Sequence, residues 1–406
     1  MRIMSAEKDL AMAHAGRPRR VLFLSAAERV GGAERSLYEL VCALPKDRVE
    51  AHVCVPSESP LSRLFALAGI PVHPVPLRRF RRSRNPLVLA GQLRALHLGA
   101  KSIGELAGHL GLDLLHANTD ATALVAWEVS REAGLPFVWH CRDLRPLGLL
   151  AKILASKTAC AIAISAAVEN HLLQQGVRRE CVRHLPNGID LTRFHPPERR
   201  AEVRARTRGY LGISPETPLL IDIGAWVPWK RHELFLDALA EVRRRRPDVV
   251  GLLVGSDLFH ENRAYVSQLE RHAERLRLSD GGLLVLQQRD DVPDLLAASD
   301  VLVSTSDDEP FGRVLVEAGA SGVPVVSTDS GAKREIVRPG ETGLLTPPGD
   351  ARTLAEACLD LLGQPERLAA MGAAGRRVAA ERYEVGRLAR DVAALYDELP
   401  GPSPHR

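Results

Sequence analysis

From Arg20 onward the chain alternates short aliphatic runs with longer stretches whose apolar residues return every three or four positions. A short continuous apolar run suits a strand buried on both faces, and the longer period suits an amphipathic helix lying against it. The pattern predicts strands at 21–25, 51–56, 71–76, 112–117, 137–140 and 161–165, with helices at 33–44 and 61–68. Pro186-Asn-Gly-Ile-Asp190 reads as a turn, and the charged, proline-rich segment 196–200 as a domain linker. Beyond it the alternation restarts, with strands at 219–224, 249–255, 283–287, 301–305 and 323–328 and helices at 233–244, 263–277, 293–298 and 314–320. The expected architecture is α/β: two Rossmann-like doubly wound domains facing an interdomain cleft. The expected divisions are a flexible N-terminus 1–19, a first domain 20–196, a second domain 197–380, and a helix 381–399 packing back towards the first domain. Ligands of open parallel sheets sit outside the carboxyl ends of the strands, so the loops after Ser25, Gly224, Gly255 and Thr305 should surround the site.

Composition narrows this picture only a little. A chain of 406 residues that is 45% hydrophobic can fill two cores. The six cysteines show no Cys-x-x-Cys spacing, so buried free thiols in a reducing cytoplasm are expected. The first 20 residues are polar and lack an apolar core, which predicts no secretory leader. No apolar run approaches the ~18 residues a membrane span needs.

The net charge of +4 is mild, but the run from Arg78 to Arg84 (Arg-Arg-Phe-Arg-Arg-Ser-Arg) concentrates five arginines. Three readings stand: a solvated loop, a peripheral contact with anionic lipid at the inner face of the membrane, or a grip on an anionic acceptor. Nucleic acid is not expected as a partner, because aromatic residues make up only 4% of the chain and none forms a stacking platform beside the arginines.

Candidate chemistry concentrates in the stretch 304–326. Glu309-Pro-Phe-Gly-Arg-Val-Leu-Val-Glu317 follows an apolar strand, turns at Pro310 and Gly312, and enters a helix. A glycine turn feeding a helix N-terminus offers free N–H groups and the positive end of a dipole, which suits a diphosphate. Carboxylates such as Glu309 and Glu317 accept hydrogen bonds from sugar or ribose hydroxyls. On spacing alone, a loop glutamate and an exposed helix glutamate explain the pair equally well. Lys230, in Gly224-Ala-Trp-Val-Pro-Trp-Lys230, offers a cation. His140 ends a strand, where a structural histidine is the plain alternative. Gly31-Gly32 opens a helix, where a simple turn would suffice.

Together these segments resemble the GT-B, family-4 type of retaining glycosyltransferases (group 1). The Glu-x7-Glu frame with its following Gly-Val-Pro-Val-Val carries the likeness. So do Gly31-Gly32, His140-Cys-Arg-Asp143, Pro186-Asn-Gly-Ile-Asp190, Leu295-Leu-Ala-Ala-Ser-Asp300, Thr342-Gly343 and Pro347-Pro-Gly-Asp350. The resemblance implies a hexosyltransferase using a nucleotide diphosphate sugar of the UDP-glucose or UDP-N-acetylglucosamine class, with front-face retention, no cofactor and no metal. It implies that Glu317 binds the ribose diol, that Glu309 holds sugar hydroxyls, and that the backbone of Phe311, Gly312, Arg313 and Val314 lies near sugar and phosphates. Lys230 would neutralise the leaving diphosphate, His140 would approach the sugar, and Gly31, Gly32 and Gly224 would let backbone close on the donor. The acceptor would be a glycan, a lipid-linked sugar or a small metabolite such as an aminocyclitol.

Two departures stand out. The family's Gly-Arg pair reads Gly224-Ala225, with Arg231 a candidate substitute, and Gly255-Ser-Asp257 lacks the second glycine of the usual Gly-x-Gly turn. The rivals on the same fold are a sugar-nucleotide epimerase, a pseudoglycosyltransferase and a non-catalytic nucleotide-sugar sensor.

Overall fold

The computed structural model describes residues 17–56, 58–77 and 85–402. Its chain divides into two compact units, Met1–Gly188 together with Val385–Arg406, and Ile189–Glu384.

The first unit holds strands β1 (Arg19–Leu24), β2 (Val49–Val55), β3 (Val72–Pro74), β4 (Leu114–Ala117), β5 (Phe137–Cys141), β6 (Cys160–Ala163) and β7 (Val182–His184). They pair in parallel in the order β3-β2-β1-β4-β5-β6-β7. β4, β5 and β6 are buried along their whole length, as strands covered by helices on both faces must be. The second unit holds β8 (Leu219–Ile223), β9 (Val250–Val254), β10 (Leu283–Leu286), β11 (Val301–Ser304), β12 (Val325–Thr328) and β13 (Gly343–Thr346), in the order β10-β9-β8-β11-β12-β13. In both sheets the order reverses beside the first strand, between β1 and β4 and between β8 and β11. Loops leaving such neighbouring strands diverge and leave room for a ligand.

Three expectations need correction. The chain changes unit at Gly188–Ile189, not at 196–197. Pro197 instead opens the helix Pro197–Leu211, a first-turn position where its fixed φ and missing N–H cost nothing. The return falls at Glu384–Val385 rather than 380–381, because the helix Pro365–Arg382 runs through 381. The last helix is Val385–Glu398, and its Leu388, Ala389, Val392, Ala393, Leu395 and Tyr396 enter the first unit's core beside Leu37, Leu40 and Val41. That spacing lays one apolar stripe on the core, and each leucine or valine so buried contributes roughly 1.5–3 kcal/mol. The third correction concerns the cysteines: five are buried as free thiols, but Cys42 is exposed.

The Leu295–Asp300 match has a packing explanation. Asp300 accepts hydrogen bonds from the backbone N–H of Leu219 and from Arg204 and Arg208. Arg208 is fully buried and also donates to the carbonyls of Ala298, Ser214, Pro215 and Thr217. The pair ties the start of β8 to the end of the helix before β11. Among the described residues no helix is long and apolar enough to cross a membrane.

Candidate functional site

The loops after β8 and β11 carry the predicted donor residues, and the strand order makes them neighbours. Trp229 O accepts from Asp307 N at 2.8 Å, and the Thr305 hydroxyl donates to the carbonyls of Lys230 and Arg231 at 3.0 and 2.9 Å. This lacing brings Lys230 Nζ to Glu309 Oε2 at 2.7 Å, and the Ser306 hydroxyl donates to the same oxygen at 2.8 Å. Both charged groups are largely buried. Burial pulls the Glu309 carboxyl up, yet the Lys230 ammonium, the Ser306 hydroxyl and the charge of Lys333 outweigh it and hold the group below the ordinary carboxylate value.

Lys333, which sequence reasoning passed over, is fully buried and donates to the Ser306 carbonyl and the Thr328 hydroxyl. Burial pulls its pKa down to about 8, against the attraction of Glu309 and with the repulsion of Lys230. Gly331 lets this segment close on Glu309: with φ at +58°, its missing Cβ would sit 2.4 Å from the Glu309 backbone.

Gly312 caps the helix Arg313–Ala320 at φ +92°, and a Cβ there would meet Leu315 Cδ1 at 2.8 Å, so only glycine fits. Phe311 is buried edge-on to Tyr383, Val314 is half-buried, and Arg313 Nε holds Glu317 Oε1 at 2.8 Å one turn on. The structure thus joins Lys230 to Glu309 and Arg313 to Glu317. The partnerships with Ser306 and Lys333 escaped the sequence because polar side chains carry no periodic signal.

At the first departure, the Ala225 carbonyl accepts from His232 Nε2 at 3.1 Å, while His232 Nδ1 lies 2.6 Å from Asp222. Arg231 is not a free replacement cation: its Nε holds Glu233 at 2.6 Å and its NH1 holds Asp307 at 3.0 Å. Arg231→Gln should therefore change kcat/KM by about threefold or less, since a partly exposed pair of this kind is worth little. A loss beyond tenfold in steady-state assays would show that the guanidinium reaches the substrate.

At the second departure, Gly255 is the glycine the fold requires. A Cβ on it would lie 1.8 Å from the Gly224 carbonyl oxygen.

In the first unit, Gly31 stands extended before the helix Gly32–Ala43 and donates its N–H to Glu34 Oε2 at 3.1 Å, while a Cβ on Gly32 would meet nothing within 4 Å. His140 is fully buried near the end of β5. Its Nδ1 lies 3.0 Å from His116 Nε2 and 3.3 Å from Arg142 NH2. Arg142 in turn donates to Asn118 Oδ1 and Asn187 Oδ1 at 2.8 and 2.7 Å. Asn187 belongs to the Pro186–Asp190 turn, so that match reflects a grip on Arg142. The neighbouring Gly188 is required by Val385, whose Cα would lie 2.6 Å from a Cβ there. The run from Arg78 to Arg84 lies outside the described residues. Among the described residues, His97, Glu128 and Glu132 could bring ligand atoms within 4.8 Å of one another, but Arg131 already holds both glutamates and the trio sits at the surface.

The family model for glycosyl transferases group 1 matches residues 203–378, and that for Glycosyltransferase Family 4 matches residues 30–193. A GDP-mannose-dependent alpha-(1-6)-phosphatidylinositol monomannoside mannosyltransferase of Mycolicibacterium smegmatis is 30% identical over 290 residues, covering 70% of this chain and 69% of that protein. A lipopolysaccharide core biosynthesis mannosyltransferase of Rhizobium meliloti is 29% identical over 285 residues, 64% of this chain and 79% of its own. The crystal structure of Anabaena HepE in complex with UDP-glucose superposes with a TM-score of 0.81 at 28% identity, covering 94% of this chain and 100% of that one.

Proposed function

Since the chain belongs to the group 1 glycosyltransferases of the GT-B fold, we propose that it moves a hexosyl residue from a UDP-hexose to an acceptor hydroxyl with retained configuration and without a metal. The observation that carries this reading is the buried Lys230–Glu309 pair beside the glycine-capped helix N-terminus. Lys230 and the helix N–H groups offer positive charge to a leaving diphosphate, the task a metal performs elsewhere. Glu309 offers a carboxylate to sugar hydroxyls, and Glu317, oriented by Arg313, offers one to a ribose diol. In this mechanism His140, Glu309 and Lys230 act on the reacting sugar and diphosphate, and the leaving diphosphate accepts the acceptor's proton on the same face.

A lipid-linked sugar is the acceptor class we favour over a soluble metabolite. The support is the arginine run from Arg78 to Arg84 and the helix that follows it, Pro86–Leu110, whose Leu87 and Leu93 stand 80% and 63% exposed. GDP-mannose is the second donor reading, favoured by the mannosyltransferases among the relatives.

Thermal unfolding with UDP-glucose, UDP-N-acetylglucosamine, GDP-mannose and dTDP-glucose decides among the donors. A saturating UDP-hexose should raise the midpoint by about 3 °C or more, unchanged by EDTA. Stabilisation by GDP-mannose alone would replace the base assignment, and stabilisation by none of the four would overturn the donor site.

A further inference from the structure

His140 ends a buried chain of hydrogen bonds that begins in the C-terminal helix. The Tyr396 hydroxyl lies 2.6 Å from His116 Nδ1, and His116 Nε2 lies 3.0 Å from His140 Nδ1. All three side chains are fully buried. Burial, and then the charge of Arg142, holds both imidazoles below their ordinary pKa, while burial pushes the Tyr396 phenol up. The three groups are therefore neutral at pH 7, and their few protons must be shared without conflict.

Both ends of the chain fix the same direction. Arg142 has only donors, and its NH2 reaches His140 Nδ1 at 3.3 Å, so that nitrogen must accept. His116 Nε2, facing the same atom, must then donate, which leaves His116 Nδ1 as an acceptor. The Tyr396 hydroxyl supplies the proton that Nδ1 accepts. Reversing the chain would aim a His140 N–H at a guanidinium N–H and leave the buried phenol proton with nothing to meet. One proton remains, on His140 Nε2. That atom is buried and has no hydrogen-bond partner among the described residues. A buried, unanswered donor of this kind is costly in a folded protein and points to a ligand atom that answers it.

We propose that His116 and Tyr396 are positioning residues that lock His140 in its Nε2–H tautomer, so that it meets the substrate as a hydrogen-bond donor and not as a base. The proposal rests on the function above only for the identity of the substrate oxygen. The tautomer is a property of the protein alone.

The test is nitrogen-15 NMR of the full-length protein labelled at histidine, with His140 assigned by its disappearance in His140→Gln. The expected result, without any substrate, is a proton on Nε2 of both His116 and His140 at pH 7. An Nδ1–H or doubly protonated His140 overturns the lock, whether or not any donor is found. In turnover, Tyr396→Phe should lower kcat about tenfold with the donor KM within about twofold, the signature of one lost orienting hydrogen bond. His140→Gln, whose amide can donate from the Nε2 position, should keep more activity than His140→Asn. Equal activity of these two variants, or an unchanged kcat in a folded Tyr396→Phe, overturns the donor role.

Discussion

Glu309→Gln is expected to lower kcat/KM about 10³-fold while leaving nucleoside diphosphate affinity unchanged or tighter. The carboxylate answers Lys230 and should also accept from sugar hydroxyls during transfer, a task that a diphosphate does not share. Glutamine keeps the shape and removes the charge, so Lys230 Nζ, 2.7 Å away and mostly buried, loses its counter-ion. A diphosphate can supply that counter-ion, and the variant should bind UDP at least as well as the parent. In the empty protein the unpaired ammonium should cost about 3 kcal/mol of stability, the scale seen when one partner of a buried pair is removed. Calorimetric titration with UDP and steady-state kinetics with UDP-glucose read the two effects separately. A variant whose kcat/KM stays within threefold of the parent would remove Glu309 from the transferring machinery. Loss of UDP binding would instead place the carboxylate, or the fold it supports, on the nucleotide side.

How much of this site the sequence displays depends on the kind of signal. Strands that read as continuous aliphatic runs, such as Phe137–Cys141 and Val301–Ser304, fall where hydrophobic patterning puts them. β7, Val182–His184, was missed, since only Val182 is buried and its neighbours are polar. The linker expectation at 196–200 failed for a physical reason. Proline beside charge marks a helix start as readily as a loop, and here Pro197 and the acidic Glu198 occupy the helix's first turn. Glu309, Gly312, Glu317 and Lys230 stand out in the sequence through the motif they resemble rather than through periodicity: Glu309 lies in the loop after β11, Gly312 caps the next helix, Glu317 lies inside that helix, and Lys230 lies in the loop after β8.

Their partners do not stand out. Nothing in the sequence separates the buried Lys333 from a surface lysine, or pairs His116 with a tyrosine 280 positions later. The Lys333 contacts exist because β11 lies beside β12, and the histidine–tyrosine contact because β4 lies beside β5 and the last helix returns to the first unit's core. Arg231 shows the converse error. Adjacency to Lys230 suggested a shared role, but a residue at φ +53° turns its side chain elsewhere, here to Glu233 and Asp307.

Gly255→Ala should cost about 3 kcal/mol of stability and weaken UDP binding at least tenfold. The argument starts from one distance: the new Cβ would stand 1.8 Å from the Gly224 carbonyl oxygen and 2.9 Å from Trp226 Nε1. Backbone, not a flexible side-chain tip, occupies the space, and it has little room to move. Gly224 N donates to Val254 O at 3.0 Å and Trp226 N to Ser256 O at 2.9 Å, so the two loops are stitched on either side of the clash. Relief requires the 224–230 loop to shift. That loop carries Lys230 and is laced to the Glu309 loop through Asp307 N and the Thr305 hydroxyl. A displacement of about 1 Å at Gly224 would therefore reach both charges of the proposed donor site, Lys230 and Glu309. Gly32→Ala is the control, because a Cβ there meets nothing within 4 Å and stability should stay within about 0.5 kcal/mol of the parent. Urea unfolding of the two variants, with UDP titration below their midpoints, separates the cases. If Gly255→Ala unfolds at the parent's midpoint and binds UDP as tightly, the close approach of these loops does not govern the site. If it loses both, the missing second glycine of the Gly-x-Gly turn is explained: the first glycine is the one the backbone needs, and Asp257 is free to hold the 261–262 backbone through its carboxylate.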